Sequence, residues 1–175
     1  MIGCGSIADI HIKNMLNIPE IEIVAGVDII PGKAAALMEK YGIDAKCDYK
    51  THEEMIDDTS LDLDGVSICT YNCEHAGPAI YALDHGINVL LEKPFTVTLD
   101  EAVEVIRAER RSGKILSIGF QPRFFENIAT NSAGVATKRN IGHTSADRSL
   151  TLKLTPFMRL CSAIYIISEE RTRVI

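Results

Sequence analysis

The sequence predicts an α/β fold with a doubly wound parallel sheet. Short apolar segments rich in β-branched residues alternate with segments of helical periodicity over residues 1–126. This alternation is typical of parallel strands joined by helices on both faces of a sheet. Of the 175 residues, 46% are hydrophobic and 24% are charged, which fits a globular protein with a buried core.

Proline, glycine and capping residues delimit the elements of the first part of the chain. Pro31 precedes a helical pattern and Gly42 follows it, the preferred order of these two residues. Thr51, with Glu54 three residues later, is a capping box that begins a short helix. The elements predicted here are helices at 6–17, 31–40 and 51–57 and strands at 21–27 and 46–49.

The next part of the chain repeats the alternation. Gly86 and Gly113 each follow a helical pattern, and Thr98 with Glu101 forms a second capping box. The elements predicted here are strands at 65–70, 88–91 and 114–120 and helices at 75–85 and 98–112. After Phe125 neither periodicity persists, so we predict no regular elements there.

Charge and hydropathy exclude several classes of function. The net charge of −6 disfavours binding to nucleic acid or to an anionic membrane. No apolar run approaches the ~20 residues of a membrane span, and no basic, then apolar, leader is present at the start. We therefore expect a cytoplasmic protein with neither nucleic acid nor membrane as a partner.

A glycine-rich loop near the start has the pattern G-x-G-x-x-A and opens a predicted helix. The first glycine permits a tight turn, the second lets the backbone approach a pyrophosphate, and the alanine lets the helix pack close to the sheet. Free N–H groups at the helix start favour phosphate. The loop predicts dinucleotide binding by Gly3, Gly5, Ser6, Ile7 and Ala8.

Asp28 strengthens this prediction because it lies 20 residues after Ala8, at the end of a predicted strand. A carboxylate there accepts hydrogen bonds from the hydroxyls of the adenosine ribose. An Asp considered in isolation is as often a solvated strand-end residue, but its position after the loop favours the ribose role. Ile29 and Ile30 supply no Arg for a 2′-phosphate, so we expect NAD rather than NADP.

The strand that should precede the loop is largely missing, because only Met1 and Ile2 come before Gly3. In this type of sheet the first strand is central. Its loss would leave an open slot and unpaired backbone groups. We expect either a native start a few residues earlier or a truncated product.

The cysteines give little indication of a metal site. There are five, none of them in a C-x-x-C pair. Cys69, Cys73 and His75 are the nearest approach to a ligand set, but closed zinc sites use four ligands at tighter, paired spacings. We expect Cys69 to end a buried strand, Cys73 to lie in the following loop, and no metal to bind.

Two motifs resemble those of a known family. Residues 70–75 read T-Y-N-C-E-H at a strand end, and residues 82–94 carry A-L-x-x-G followed by a strand ending in E-K-P. Residues 119–124, G-F-Q-P-R-F, follow the last predicted strand. Over residues 1–126 the sequence resembles the Gfo/Idh/MocA oxidoreductases, which include glucose–fructose oxidoreductase and inositol dehydrogenase and typically carry T-P-N-x-x-H and E-K-P.

The resemblance implies a Rossmann domain with further cofactor residues. Thr70, Asn72 and His75 would line the cofactor loop, and Glu92 would lie near the nicotinamide ribose. Gln121, in the segment after the sixth strand, is also expected at the cofactor.

Lys93 is the candidate catalytic residue, since the resemblance implies that it points at the substrate hydroxyl that loses its proton. A cation at the carboxyl rim of a parallel sheet lies where ligands bind, and it can stabilise alkoxide character as hydride leaves. The peptide bond before Pro94 is often cis in this family. His11, on the first predicted helix, is a further candidate that is equally compatible with a surface or packing role.

The sequence departs from the family in three places. Tyr71 replaces the usual proline, the first strand is short, and no typical second domain follows. In the family a mixed α/β substrate domain begins with a D-x-x-x-H stretch that supplies an acid–base His and a substrate-binding Asp. In residues 127–175, Asp147 is followed four residues later by Thr151, and His143 has no matching Asp before it.

Composition also changes near Asn127. Residues 1–126 carry 11 Lys and Arg against 21 Asp and Glu, whereas residues 127–175 carry 7 against 3. We expect a dinucleotide-binding domain at 1–126 and an atypical tail at 127–175, with the substrate domain absent or degenerate, as after a frameshift, gene decay or unusual splicing. The family assembles through its second domain, so a homo-oligomer is expected only if that domain exists.

Two hypotheses for function stay open. One is an NAD-dependent dehydrogenase of a sugar, cyclitol or related polyol, represented by its nucleotide-binding domain. The other is a non-catalytic dinucleotide-binding remnant or regulatory module. The E-K-P motif favours the first, whereas the missing D-x-x-x-H favours the second, so the sequence does not decide whether this chain is an enzyme. Another Rossmann enzyme, such as an amino-acid-pathway reductase, would need a different motif in place of E-K-P.

Overall fold

Three parallel strands form the continuous part of the sheet in a computed structural model that describes residues 1–120. They are β1 (Gly65–Ile68), β2 (Asn88–Glu92) and β3 (Leu116–Gly119), in the order β1-β2-β3. Val89 of β2 lies between Val66 and Leu116 in the register of the two pairs. The predicted parallel α/β sheet is confirmed, whereas the tail at 127–175 lies outside the described residues.

Single parallel bridges extend the sheet beyond β1. Ile2 is bridged to Ile68 on one side and to Val27 on the other, and Ala25 is bridged to Lys46. The Ile2 N–H donates to the Ser67 carbonyl at 2.9 Å. The spatial order is therefore 46, 25–27, 2, β1, β2, β3, which is the order of a Rossmann sheet with its first segment at the centre.

The central position is thus occupied by a segment of only two residues. Beside it, a cavity of about 420 Å³ is lined by Met1 and by the segments 20–25 and 61–67.

Five α-helices accompany the strands in the described part of the chain, and local sequence explains their ends. The Thr98 hydroxyl accepts the Glu101 N–H at 3.2 Å and the Glu101 carboxylate accepts the Thr98 N–H at 3.0 Å, which confirms the second capping box. Thr51 accepts the Glu54 N–H at 3.3 Å. The helices are α1 (Ser6–Met15), α2 (Lys33–Lys40), α3 (His52–Asp57), α4 (Ala76–Asp84) and α5 (Leu99–Ser112).

The core lies on both faces of the sheet. Along β2, Val89 and Leu91 pack with side chains of α3, α4 and α5, whereas Leu90 packs with side chains of α1 and α2. These three side chains have no exposed surface, and each contributes about 1.5–3 kcal/mol by its burial. Helices therefore cover both faces, as a strand with a continuous apolar sequence requires. Within residues 1–120, none of the helices is long and apolar enough to cross a membrane.

Candidate dinucleotide-binding site

A cavity of about 630 Å³ opens at the carboxyl edge of the sheet. Its walls include residues that directly follow Ile2, Val27 and β1, together with the start of α3. Ligands of doubly wound sheets bind at this edge. Six residues predicted to bind a cofactor line the cavity: Gly3, Gly5, Ser6, Ile7, Asp28 and Thr70.

Gly3 lies where the glycine loop passes closest to the segment after β1. Its φ of +79° is in the left-handed region. An added Cβ would lie 2.8 Å from the Thr70 nitrogen and 2.9 Å from the Cys69 carbonyl carbon. Both the conformation and the contact therefore require glycine at this position.

Gly5 is the N-cap of α1, and it faces open space. Apart from Gly5 itself and its two chain neighbours, no atom lies within 4 Å of the place its Cβ would occupy, and no side chain caps the helix among the residues that the structure describes. Ser6 and Ile7 form the first turn and line the cavity, where N–H groups and the helix dipole favour an anion. Ala8 is fully buried behind them and lets α1 pack closely.

Asp28 is held in place by backbone N–H groups on both sides. Its Oδ2 accepts the Cys4 N–H at 2.8 Å, and its Oδ1 accepts the Ile30 N–H at 2.9 Å. Burial opposes ionisation, but these hydrogen bonds and the Lys33 ammonium keep the pKa of Asp28 below its ordinary value. The carboxylate is therefore charged and oriented at neutral pH.

Lys33 is a cavity residue that the sequence reasoning missed. Its Nζ lies 3.2 Å from Asp28 Oδ2, and its side chain is 39% exposed. It lies five residues after Asp28, at the first position of α2, and its side chain reaches back to the strand end. The lysine five residues after Asp28 was the signal by which the sequence could have indicated this contact. Its positive charge weakens the argument that nothing near Asp28 would attract a 2′-phosphate.

The loop after β1 places its three predicted residues in different surroundings. Thr70 lines the cavity, and its hydroxyl donates to the Glu74 carbonyl at 3.1 Å. Asn72 is exposed at the start of a short 3-10 turn. His75 is buried, with Nδ1 2.8 Å from the Pro94 carbonyl oxygen and Nε2 3.2 Å from the Thr70 carbonyl oxygen. His75 therefore lies behind the cavity wall and connects this loop to the segment after β2.

Glu92 is buried at the end of β2, and both its oxygens have partners. Oε1 lies 2.8 Å from His11 Nε2, and Oε2 accepts the Lys93 N–H at 3.0 Å. The other ring nitrogen of His11 lies 2.9 Å from Ser67 Oγ and 3.6 Å from Cys69 Sγ. The sequence left His11 between a site role and a packing role, and the structure places it against a predicted cofactor residue.

Lys93 follows Glu92 at the carboxyl edge, and its side chain is exposed. The Lys93–Pro94 peptide bond is cis. Gln121 lies outside the described residues. Cys69 is buried and Cys73 is exposed, and residues 1–120 contain no cluster of three or more His, Cys, Asp or Glu arranged to hold a metal ion.

The sheet order and the glycine-loop cavity define a Rossmann domain. The chain matches the model of an oxidoreductase family with an NAD-binding Rossmann fold, Gfo/Idh/MocA, over residues 1–120. This chain therefore belongs to the Gfo/Idh/MocA oxidoreductase family, as the motifs predicted.

Individual relatives agree with this assignment. Inositol 2-dehydrogenase from Salmonella typhimurium is 37% identical over 126 residues, which cover 71% of this chain and 37% of that protein. The counterpart from Burkholderia cenocepacia is 30% identical over 128 residues, covering 72% of this chain and 37% of that protein. Myo-inositol dehydrogenase from Lactobacillus casei, in complex with NAD(H) and myo-inositol, matches with a TM-score of 0.68 and 27% identity over 74% of this chain and 38% of that one. This chain spans less than two fifths of the length of these relatives.

Proposed function

We propose that this chain binds NAD in the cavity at the carboxyl edge, as the nucleotide-binding part of a dehydrogenase of a sugar, cyclitol or related polyol. The observation that carries the proposal is the convergence of the glycine loop, the uncapped start of α1 and the oriented carboxylate of Asp28 on one cavity. The NAD(H) and myo-inositol in the related Lactobacillus casei structure support the same choice of cofactor and substrate class.

The residues present fit such a cofactor. The open space beside Gly5 lets a pyrophosphate approach the N–H groups of Ser6 and Ile7. A carboxylate has about four acceptor positions, and Asp28 uses three of them for Cys4, Ile30 and Lys33. Displacement of the half-exposed Lys33 would free a second position, which the two hydroxyls of a ribose require.

NAD supplies a hydride acceptor when bound. The chain's own residues orient the cofactor and polarise the substrate hydroxyl. Lys93 is assigned the role of holding the substrate oxygen, where its positive charge stabilises the developing alkoxide. An ammonium group has no acceptor position, so Lys93 does not take the proton. We assign Thr70 to the cofactor wall, Asn72 to its exposed rim, and Glu92 to the nicotinamide ribose.

Calorimetric titration with NAD and NADP tests the proposal. We expect tighter binding of NAD, because the Asp28 carboxylate repels a 2′-phosphate. Asp28→Ser should lower the ratio of the NADP to the NAD dissociation constant about tenfold, because one charge-assisted contact with NAD is lost. The control is Asp44→Ser, an exposed carboxylate outside the cavity, which should leave the ratio unchanged. Equal affinity of the parent chain for NAD and NADP would contradict the role of Asp28.

A second candidate is a dinucleotide-binding module without catalysis, which the absence of D-x-x-x-H from residues 127–175 favours. Correct positioning of reactants is worth about 7–11 kcal/mol, and a base is needed for the hydroxyl proton. Production of NADH from inositols and glucose at saturating NAD decides between the two. Binding without turnover by the 175-residue chain supports the module, whereas turnover abolished by Lys93→Ala supports the dehydrogenase.

A further inference from the structure

We propose that His11 is a positioning residue that fixes Glu92, and through it the nicotinamide-riboside end of the cofactor site, to the helix that begins at the glycine loop. The proposal rests on the proposed function, NAD binding. It starts from the contact of 2.8 Å between His11 Nε2 and Glu92 Oε1, two residues that are 81 positions apart in the chain.

The contact joins the two ends of the predicted site. His11 lies on α1, whose first turn lines the cavity at Ser6 and Ile7. Glu92 ends β2 and precedes Lys93, the residue proposed to meet the substrate. The α1 start and the β2 end lie on different elements, and the His11–Glu92 contact fixes their separation through a direct side-chain bond.

The surroundings leave the pair little freedom. His11 is 1% exposed and Glu92 is 3% exposed. Ser67 Oγ lies 2.9 Å from the second ring nitrogen of His11, and an added Cβ at Gly119 of β3 would lie 3.0 Å from Glu92 Oε1. Since interior groups are close-packed and buried polar groups need partners, the ring and the carboxylate are held in one arrangement.

The same carboxylate accepts the Lys93 N–H at 3.0 Å. A shift of the Glu92 carboxylate therefore also moves the backbone of Lys93. Removal of the His11 partner would leave a buried carboxylate short of one hydrogen bond, so Glu92 would turn towards water at the carboxyl edge. The nicotinamide end of the site would be displaced. The contact of the adenosine ribose with Asp28 and that of the pyrophosphate with the loop at Gly5 would be retained.

The test compares two ligands that differ at the affected end. ADP occupies the adenosine and phosphate positions, and NAD adds the nicotinamide riboside. We expect His11→Leu to weaken NAD binding at least tenfold, as expected for loss of a hydrogen bond to a charged group, and to change ADP binding less than twofold. His11→Gln, which keeps an N–H donor near the position of Nε2, should recover most of the loss. Calorimetry measures both constants, at a temperature where melting curves show each variant to be folded.

Other results overturn the inference. Equal weakening of ADP and NAD would mean that His11 only supports the fold, and unchanged NAD binding would mean that Glu92 needs no such partner. If His11→Leu does not fold, His11→Asn replaces it, because its shorter amide keeps the polarity but does not reach Glu92 Oε1, with the same expected split between NAD and ADP. A parent chain that binds neither ligand refutes the proposed function itself, which separates that failure from a failure of the positioning role.

Discussion

Gly3 and Gly5 belong to one loop, but the reason for glycine differs between the two positions. Gly3 has a left-handed backbone and no space for a Cβ, whereas Gly5 has a φ of −85° and open space. We expect Gly3→Ala to lower the free energy of unfolding by about 2 kcal/mol or more, since the left-handed conformation alone costs about 1–2 kcal/mol. Gly5→Ala should cost less than about 1 kcal/mol and weaken NAD binding instead. Urea unfolding and calorimetry measure the two effects, and a larger destabilisation by Gly5→Ala would contradict this division.

His11 gives the folded protein a characteristic pH dependence. Burial opposes its charged form, but the Cys69 sulfur and the Glu92 carboxylate outweigh burial and raise the pKa of His11 to about 9. Because the unfolded value is about 6.5, the charged pair stabilises fully below about pH 6.5, and the stabilisation is lost as the pH rises to about 9. We expect the difference in unfolding free energy between the parent chain and His11→Gln to shrink over this interval. Urea unfolding at several pH values measures it, and a constant difference would show that His11 does not titrate there.

Among the elements, α5 depends on its capping box for a defined start. Thr98 and Glu101 satisfy each other's backbone N–H groups at the first turn of a 14-residue helix that packs on α4. We expect Thr98→Ala to lower the free energy of unfolding by about 1 kcal/mol. Thr98→Ser keeps the hydroxyl and should cost little. Thermal melting of both variants measures the difference, and equal melting temperatures would contradict the capping role.

Local sequence was sufficient for most elements but not for the contacts between them. Both capping threonines were predictable because each bonds to a residue three positions along the chain. The glycine loop and Asp28 were singled out by the spacing of a known fingerprint, although their contacts are with distant segments. The strand predicted at 21–27 is observed only as bridges at Ala25 and Val27. The partnership of His11 with Glu92 and the distinct surroundings of Asn72 and His75 depend on long-range packing, for which a single sequence has no periodic signal.

At the scale of the whole molecule, the cavity of about 420 Å³ beside Met1 predicts a response to extension. Its lining combines apolar residues, among them Ile21, Ile23, Val24 and Val66, with the acidic residues Glu20, Glu22, Asp62 and Asp64. We expect a β-rich segment of about five residues added before Met1 to pair there and to raise the melting temperature by several degrees, because a few buried apolar side chains contribute about 1.5–3 kcal/mol each. An added Gly-Ser segment of equal length is the control. Equal melting temperatures for the two extended chains would mean that the cavity does not accept a strand.

The two-residue central segment also determines which parts of the domain can separate. Five backbone hydrogen bonds of Met1, Ile2 and Gly3 join the 25–27 segment to β1: the Met1 amino group to Ala25, Gly3 N–H to Val27, Val27 N–H to Met1, Ile2 N–H to Ser67 and Cys69 N–H to Ile2. β1, β2 and β3, by contrast, form continuous ladders. Local opening follows the least connected boundary. Amide hydrogens at Gly26, Val27 and Lys46 should therefore exchange with deuterium through partial openings, whereas those of β2 should exchange only on global unfolding. That boundary lies next to the cavity that contains Asp28. A ligand bound across it would therefore slow hydrogen exchange in the segment at 25–27 and at Lys46, and this segment would then open together with β1, β2 and β3 rather than separately.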